Sequence, residues 1–384
     1  MRKQRVHALH VLAICALVIG ATAASASSAA QADTVNIELS TSTLMWNPQD
    51  RKETKAGKLI WEGGIEITSP NGEFGGWSGL AVSGDGAALL AISDEGRWLT
   101  AMLLYDERGR LSGLAEGRMA PMLGLDGKPL DGKRLGDAES LAIDSDTLIG
   151  NAYVGFERAH RIWRYDLAQA GFTARPEQLL TQRNFGRLNP NGGIESLDLL
   201  APARPDAAPR ILAITEDTLD PRGLIKGFIA DGRDISWFAL KPNGPYKPTD
   251  AALLPSGDIL LLERRFSLLA GVGMELRLIR GGDVKAGAVL EGEVLAEAGP
   301  HYSIDNMEGL AVRQDKNKDL LIYMISDNNF NPLQRTLLLM FRLPADAIPA
   351  LAPAEGPLTL PRTPAAAGSS GAASASEEAA PAPN

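Results

Sequence analysis

A chain of 384 residues has room for one large domain or two ordinary ones, and its 45% apolar content is that of a globular core. The net charge of −9 argues against nucleic acid and anionic membrane as partners, and a single cysteine excludes an internal disulfide framework. The 40 Gly and 24 Pro suit a turn-rich all-β protein.

At the N-terminus, Arg2, Lys3 and Arg5 precede an apolar run from Val11 to Ala24 that ends in Ala30-Gln31-Ala32. This pattern predicts a signal peptide over residues 1–32, cut near Ala32, and hence a periplasmic or secreted protein. Removing it takes three cations from 38 Lys and Arg, leaving 35 against 47 Asp and Glu, a net charge of −12. It also takes the only cysteine, Cys15. No other stretch approaches the ~18 apolar residues of a membrane span. Residues 33–57 read as a lead-in, 58–348 as the folded domain, and 349–384 as a disordered Ala/Pro/Ser-rich tail that cannot offset its ordering entropy.

Within the domain one short phrase recurs. It reads Trp77-Ser78-Gly79-Leu80-Ala81-Val82, then Ala138-Glu139-Ser140-Leu141-Ala142-Ile143, then Ile194-Glu195-Ser196-Leu197-Asp198-Leu199. It returns as Thr249-Asp250-Ala251-Ala252-Leu253-Leu254 and as Met307-Glu308-Gly309-Leu310-Ala311-Val312. Counted from the second residue of each copy, the steps are 61, 56, 55 and 58 residues, a period that marks a repeat architecture. A turn and a second strand follow each copy, as in Ser83-Gly84-Asp85-Gly86 before Ala88–Ile92. Third strands are expected at 98–105, 161–167, 234–240, 275–280 and 336–343, with a less regular fourth, clearest at 288–296. The fold class is therefore an all-β propeller with five countable four-stranded repeats, six blades being possible, and the strand 58–68 is expected to close the ring.

In a propeller the start of each first strand and the end of each second strand meet at one mouth of the central channel. That places Glu139, Glu195, Asp250 and Glu308 on an inner ring. Beside them come Asp94, Glu95, Glu157, Glu216, Asp217, Glu263 and Asp327. So many carboxylates raise one another's pKa values unless a hard cation or nearby arginines relieve the repulsion. Arg97, Arg158, Arg161, Arg264, Arg265 and Arg335 follow these acids in the chain. The alternative is structural: a recurring acid that accepts hydrogen bonds from a neighbouring blade's backbone. Ser78 lacks a nucleophile-elbow context, and phosphate loops of the Walker or Rossmann type are absent. Two histidines, His160 and His301, remain beyond residue 32, too few for a histidine-built zinc site.

The combination Gly79-Leu80-Ala81-Val82 with Ile92-Ser93-Asp94-Glu95-Gly96-Arg97-Trp98, Glu139-Ser140-Leu141-Ala142, Gly193-Ile194-Glu195-Ser196-Leu197, Leu262-Glu263-Arg264-Arg265, and Asn306-Met307-Glu308-Gly309-Leu310 with Ser326-Asp327-Asn328-Asn329-Phe330 resembles the phytase-like family. That family is described as having esterase-like activity of phytase. The resemblance covers about residues 58 to 343 and implies a secreted bacterial propeller hydrolase. Better-understood β-propeller phytases hold calcium with rings of carboxylates.

The expected chemistry is metal-assisted hydrolysis of a phosphoester. A divalent cation, Ca²⁺ by ligand type, is assigned to Glu139, Glu195 and Glu308 with Asp94 or Asp327. Glu95 or Glu157 is the general base, and Arg97, Arg264 or Arg265 holds a small anionic substrate. Two other readings stay open: a carboxylic ester or lactone hydrolase on the same site, and a non-catalytic periplasmic binding or scaffold propeller.

Overall fold

A computed structural model describes residues 33–348. The expected signal peptide and tail lie outside the described residues.

The described chain is all-β apart from a few helical turns and is propeller-like. The lead-in forms three short strands, β1 (Val35–Asn36), β2 (Ser40–Thr43) and β3 (Lys55–Ala56), followed by β4 (Leu59–Thr68). An antiparallel set follows: β5 (Trp77–Val82), β6 (Ala88–Ser93), β7 (Arg97–Tyr105) and β8 (Leu111–Pro121). The next is β9 (Ala138–Ile143), β10 (Asn151–Phe156), β11 (Arg161–Asp166) and β12 (Glu177–Thr181). Then come β13 (Ile194–Leu200), β14 (Arg210–Leu219), β15 (Ile225–Asp231) and β16 (Asp234–Leu240). After them run β17 (Lys247–Leu253), β18 (Ile259–Ser267), β19 (Gly271–Ile279), the two-residue β20 (Val289–Leu290) and β21 (Gly292–Ala298). The last are β22 (Asn306–Gln314), β23 (Leu320–Asp327) and β24 (Thr336–Leu343).

β4 pairs antiparallel with β24, so the N-terminal strand completes the C-terminal sheet. A single parallel bridge, Gly63 to Leu111, joins that sheet to β8. The lead-in adds β1 to β8 and β2 to β4, and buries Trp46 against Trp61, Tyr302 and Phe341. Two strand assignments differ from the sequence reading. Ile225–Asp231, which follows a Pro221-Arg222-Gly223 turn and where the sequence analysis places no strand, is the third strand of its sheet and pushes 234–240 out to fourth. Residues 288–296 are split, with β20 parallel to β16 and β21 against β19.

The first strands of the sheets, β5, β9, β13, β17 and β22, touch one another in cyclic order. Together they line a recess of about 300 Å³ toward their C-terminal ends. The core lies in layers between neighbouring sheets; Leu90, Ile92 and Trp98 of one sheet pack with Leu141, Val154 and Phe156 of the next. Burying one such leucine contributes about 1.5–3 kcal/mol.

The recurring phrase now has a physical account. Every first strand carries a β-bulge near its start: the pairing skips one residue between Trp77 and Gly79, between Ala138 and Ser140, between Ile194 and Ser196, between Pro248 and Asp250, and between Met307 and Gly309. A bulge leaves one residue outside the ladder and re-aims its side chain. The residue after it packs against the neighbouring sheet: a Cβ on Gly79 would lie 2.9 Å from Leu141 Cβ, and one on Gly309 would lie 3.0 Å from Leu80 Cβ. Hence Gly or Ser there, then a core leucine.

The bulge also corrects the register of the fourth repeat. The skipped residue is Thr249, not Asp250, which falls at the small-residue position. Asp250 is buried, and its carboxylate accepts from Leu310 N of the next sheet at 2.7 Å and from Ala251 N at 2.8 Å. Glu263 likewise pairs within the ladder opposite Pro248 and forms a buried ion pair with Arg277, at 2.7 Å through Nη2, away from the mouth. Thus Asp250 plays the structural part considered above.

Asp250→Ala strands two buried backbone donors and should cost on the order of 2–4 kcal/mol in urea unfolding. Burial already pushes the Asp250 carboxyl well above its ordinary pKa, so the neutral acceptor of Asp250→Asn should restore most of that. An alanine variant as stable as the wild type would contradict this role.

Candidate active site at the acidic mouth

Two positions per sheet build the site: the bulge residue of the first strand and, on the second strand, the residue just past the partner of the pre-bulge residue. The first position is Ser78, Glu139, Glu195, Thr249 and Glu308. The second is Asp94, Glu157, Glu216, Arg264 and Asp327, each one residue beyond the partner of the pre-bulge residue. Where the bulge residue is a hydroxyl, it links sheets: Ser78 Oγ donates to Ala138 O and Thr249 Oγ1 to Met307 O at 3.2 Å. Where it is Glu, three carboxyls from three sheets meet. Glu139 and Glu308 both bear on Glu195, and Glu157 and Glu308 both bear on Glu139.

A third position, two residues before the bulge, supplies Asp137, which sequence reasoning missed. Its repeat equivalents, Gly76, Gly193, Lys247 and Asn306, gave no acidic signal. Asp137 is buried, receives Arg158 Nε at 2.6 Å and lies 3.8 Å from Lys133 Nζ. Carboxylate oxygens of Asp137, Glu139 and Glu157 lie within 4.8 Å of one another. Glu157 Oε1 accepts from Gly193 N of the next sheet at 2.5 Å, and the Glu195 carboxyl lies beside it. The Gly193 backbone makes room for His160: a Cβ there would sit 2.2 Å from the imidazole. Burial holds that buried imidazole's pKa below its usual value.

Asp94 is buried and ion-paired to Lys133 through Oδ2, while its Oδ1 is buried with no partner. Asp327 Oδ1 accepts from Asn329 N at 2.6 Å. Glu308 is held by Asn306 Nδ2 at 2.8 Å and Arg264 Nε at 2.9 Å, and Arg264 reaches Glu216 at 3.4 Å. Arg264 thus takes the place an acid takes in the other sheets.

Burial is the leading cause of every raised carboxyl here. It pushes Glu139 and Glu195 far up, reinforced by Asp137 and by Glu139 respectively. Asp94 and Glu157 rise although Lys133 and the hydrogen bonds from Glu195 and Gly193 pull them back. Glu308 rises against the pull of Arg264, and Asp327 is pushed up to about 8, with Asp94 and Glu308 adding to the burial.

Beside the mouth is a recess of about 470 Å³ lined by Gly72, Glu73, Asp94, Glu95, Arg97, Lys133, Asn329 and Phe330. It gathers Glu95 and Arg97, the latter ion-paired to Glu73. The carboxyl of Glu95 is raised by partial burial and then by Asp94. Asn329 and Phe330 have φ of 46° and 49°, a strained pair of the kind that clusters at functional sites. The opposing Gly76, at φ 68°, has no room for a Cβ, which would meet Asp94 Oδ1 at 2.2 Å and Phe330 Cε2 at 3.0 Å. Lys133 and Phe330 carried no repeat signal. Arg265 lies apart: its Nε donates to Tyr246 Oη at 3.0 Å on the alternate face of β18.

The donor set fits a hard cation: all oxygens, an excess of acid over base, and one buried carboxylate oxygen with nothing to bind. The fold and this site define a propeller-like protein with an acidic mouth. The model of the phytase-like family, described as esterase-like activity of phytase, matches residues 72–330, and the chain belongs to that family. Family and fold together support a hydrolase-type propeller. No curated protein matches the chain. Among solved structures it is similar to a glucose dehydrogenase, at 14% identity and TM-score 0.37 over 69% of this chain and 96% of that one. It is also similar to a protein of unknown function from Dyadobacter fermentans DSM 18053, at 11% identity and TM-score 0.38 over 81% and 94%. The structure of U3-55K follows at 11% identity and TM-score 0.34 over 72% and 98%. Likenesses this distant carry no functional information.

The raised carboxyls set a sign for pH dependence. Asp327 titrates at about 8 in the folded chain, against an ordinary value of ~3.9 once unfolded. Between those values the folded state holds a proton that the unfolded state releases, so stability falls as pH rises through the window. Protein kept in chelator should therefore melt at a higher temperature at pH 5.5 than at pH 8.5, by scanning calorimetry. A melting temperature that climbs over this interval would contradict the arrangement.

Proposed function

We propose that the protein is a secreted five-bladed β-propeller hydrolase that cleaves a small anionic phosphoester at a calcium-binding acidic mouth. The blades are the five sets opened by β5, β9, β13, β17 and β22, with residues 58–348 as the propeller, 33–57 as its lead-in, 1–32 as the export signal and 349–384 as a tail. The observation that carries the reading is the meeting of Asp137, Glu139 and Glu157 beside Glu195, with a recess next to them whose wall carries Lys133 and Arg97 among its acids.

Asp137, Glu139 and Glu157 are the residues we assign to the cation, with Glu195, Glu308, Asp94 and Asp327 around them. A bound Ca²⁺ supplies a charge that polarises a phosphoryl oxygen and acidifies a coordinated water. Lys133 and Arg97, on the recess wall, take up the anionic oxygens of the substrate by charge-assisted hydrogen bonds. Glu95, part exposed and with its pKa raised by partial burial and by Asp94, accepts the proton of the attacking water. Arg264 fixes Glu308 and Glu216 in place and offsets their repulsion. Arg265, turned to Tyr246, takes no part. Carboxylic ester or lactone hydrolysis on the same residues is favoured by one feature, the Phe330 ring on the recess wall, which suits an apolar leaving group.

The test is turnover of phosphomonoesters, phosphodiesters, phytate, carboxylic esters and lactones by chelated protein before and after Ca²⁺ is restored. The reading expects Ca²⁺-dependent phosphoester cleavage. Glu95→Gln should lower kcat about 100-fold, as loss of a general base does. Arg97→Ala should chiefly raise KM. Turnover confined to carboxylic esters or lactones would transfer the site to the second reading, and none on any substrate would overturn both.

A further inference from the structure

Arg161, the first residue of β11, is buried, and among the described residues no carboxylate lies within ion-pairing distance of it. A buried arginine without an acid partner is costly, and burial pulls its pKa down to about 10. Its guanidinium carbon lies 3.8 Å from the centroid of the Phe156 ring and 4.3 Å from that of Trp163, a seat that orients the fork. From there Nη1 donates to Ala159 O at 2.9 Å and Nη2 to Leu135 O. Leu135 belongs to a single helical turn, α1 (Lys133–Gly136), which runs directly into Asp137. Four residues are too few to hold a helix by themselves. This turn also buries no side chain, because Arg134 and Leu135 are exposed, Lys133 is half-buried and the buried residue is Gly136. Its fixed points are therefore polar. Lys133 pairs with Asp94, Arg158 pairs with Asp137, and Glu157 N donates to Asp137 O at 2.8 Å. Arg161 takes the carbonyl of Leu135, one of the last carbonyls that a helix leaves unpaired. The Lys133 and Arg158 side chains are 40% and 45% exposed, so solvent competes for those two pairs, whereas Arg161 makes its contact in the core.

We infer that Arg161 is a positioning residue for the cation site: seated on Phe156 and Trp163, it holds the α1 turn by the Leu135 carbonyl and so sets Asp137 at the end of the turn and Lys133 at its start. The inference rests on the reading of the mouth as a calcium site. Arg161 touches neither ion nor substrate. Its charge and its hold on the turn act with opposite sign on a bound cation. The guanidinium attracts Asp137 and repels a positive ion, so a role through charge alone would make its removal tighten cation binding. Releasing the turn does the reverse. Asp137 meets Glu139 and Glu157, with carboxylate oxygens within 4.8 Å of one another, only while the turn stays where it is. The turn is also pressed on the preceding sheet, where a Cβ on Gly136 would lie 3.2 Å from Glu95 C, so its placement fixes Lys133 relative to the Glu95 segment.

The experiment is equilibrium dialysis of chelator-stripped full-length protein against Ca²⁺, for wild type, Arg161→Met, Arg161→Lys and Asp250→Ala. Amide exchange of the peptide covering residues 133–137 is followed alongside by mass spectrometry. Arg161→Met should exchange faster in that peptide and bind Ca²⁺ about 10–100-fold more weakly, as loss of a residue that orients a metal ligand does. Arg161→Lys keeps the charge and a donor but not the fork, so it should lose less. Asp250→Ala loses stability elsewhere and should keep wild-type affinity, which separates positioning from general loosening. Affinity in Arg161→Met equal to or tighter than wild type would overturn the inference, as would an equal loss in Asp250→Ala. Should Arg161→Met fail to fold, Arg161→Lys decides: wild-type exchange and affinity there would overturn it. A wild-type protein that binds no Ca²⁺ would overturn the calcium reading itself, and this inference with it.

Discussion

One extra residue near the start of each inner strand organises this protein. The bulge breaks the alternation that would otherwise hide every second side chain in the wall, and it sends one side chain per sheet toward a common mouth. The antiparallel second strand reaches the same mouth, so one of its residues arrives beside the first. What the chain places at those two positions decides the chemistry. A hydroxyl at the bulge, as in Ser78 and Thr249, reaches across to the next sheet's carbonyl and ties the two sheets together. A glutamate there joins a shared electrostatic centre.

That centre is costly. Asp94, Asp137, Glu139, Glu157, Glu195, Glu216, Glu308 and Asp327 are arrayed against Lys133, Arg158 and Arg264, and burial, more than mutual repulsion, is the leading cause of the raised pKa values. Buried carboxyls that serve stability alone are satisfied by backbone donors, as Asp250 is by Leu310 and Ala251. Asp94 Oδ1 is not satisfied in this way, and Glu157 and Glu195 bring two carboxyls together across a sheet boundary. Groups left in this condition are matched to a positively charged ligand, which is the physical basis for placing function at the mouth.

Much of this was legible in the sequence, because repetition exposes position. The spacing of Glu139, Glu195 and Glu308 revealed the inner ring, and the direction of the second strand brought Asp94, Glu157 and Asp327 to it. The failures have a common cause. A bulge displaces register by one residue without a mark in the composition, so Asp250 and Glu263 looked like ring members while Thr249 and Arg264 hold those places. Asp137, Lys133 and Phe330 occupy positions that other repeats fill with Gly, Lys, Asn or nothing comparable, and only the fold brings them to the recess and the mouth. Which face of β18 carries Arg264 and which Arg265 was likewise beyond a reading that lacked the register.

The central claim is that the bulge glutamates and their neighbours gather to hold a hard cation. Equilibrium dialysis of chelator-stripped protein against Ca²⁺ addresses it without any assumption about substrate. The account predicts at least one bound ion per chain, with affinity at least tenfold weaker in Glu139→Gln and in Asp137→Asn and unchanged in Asp250→Asn. A wild-type protein that binds no Ca²⁺, or one whose affinity is the same in all three variants, would contradict it.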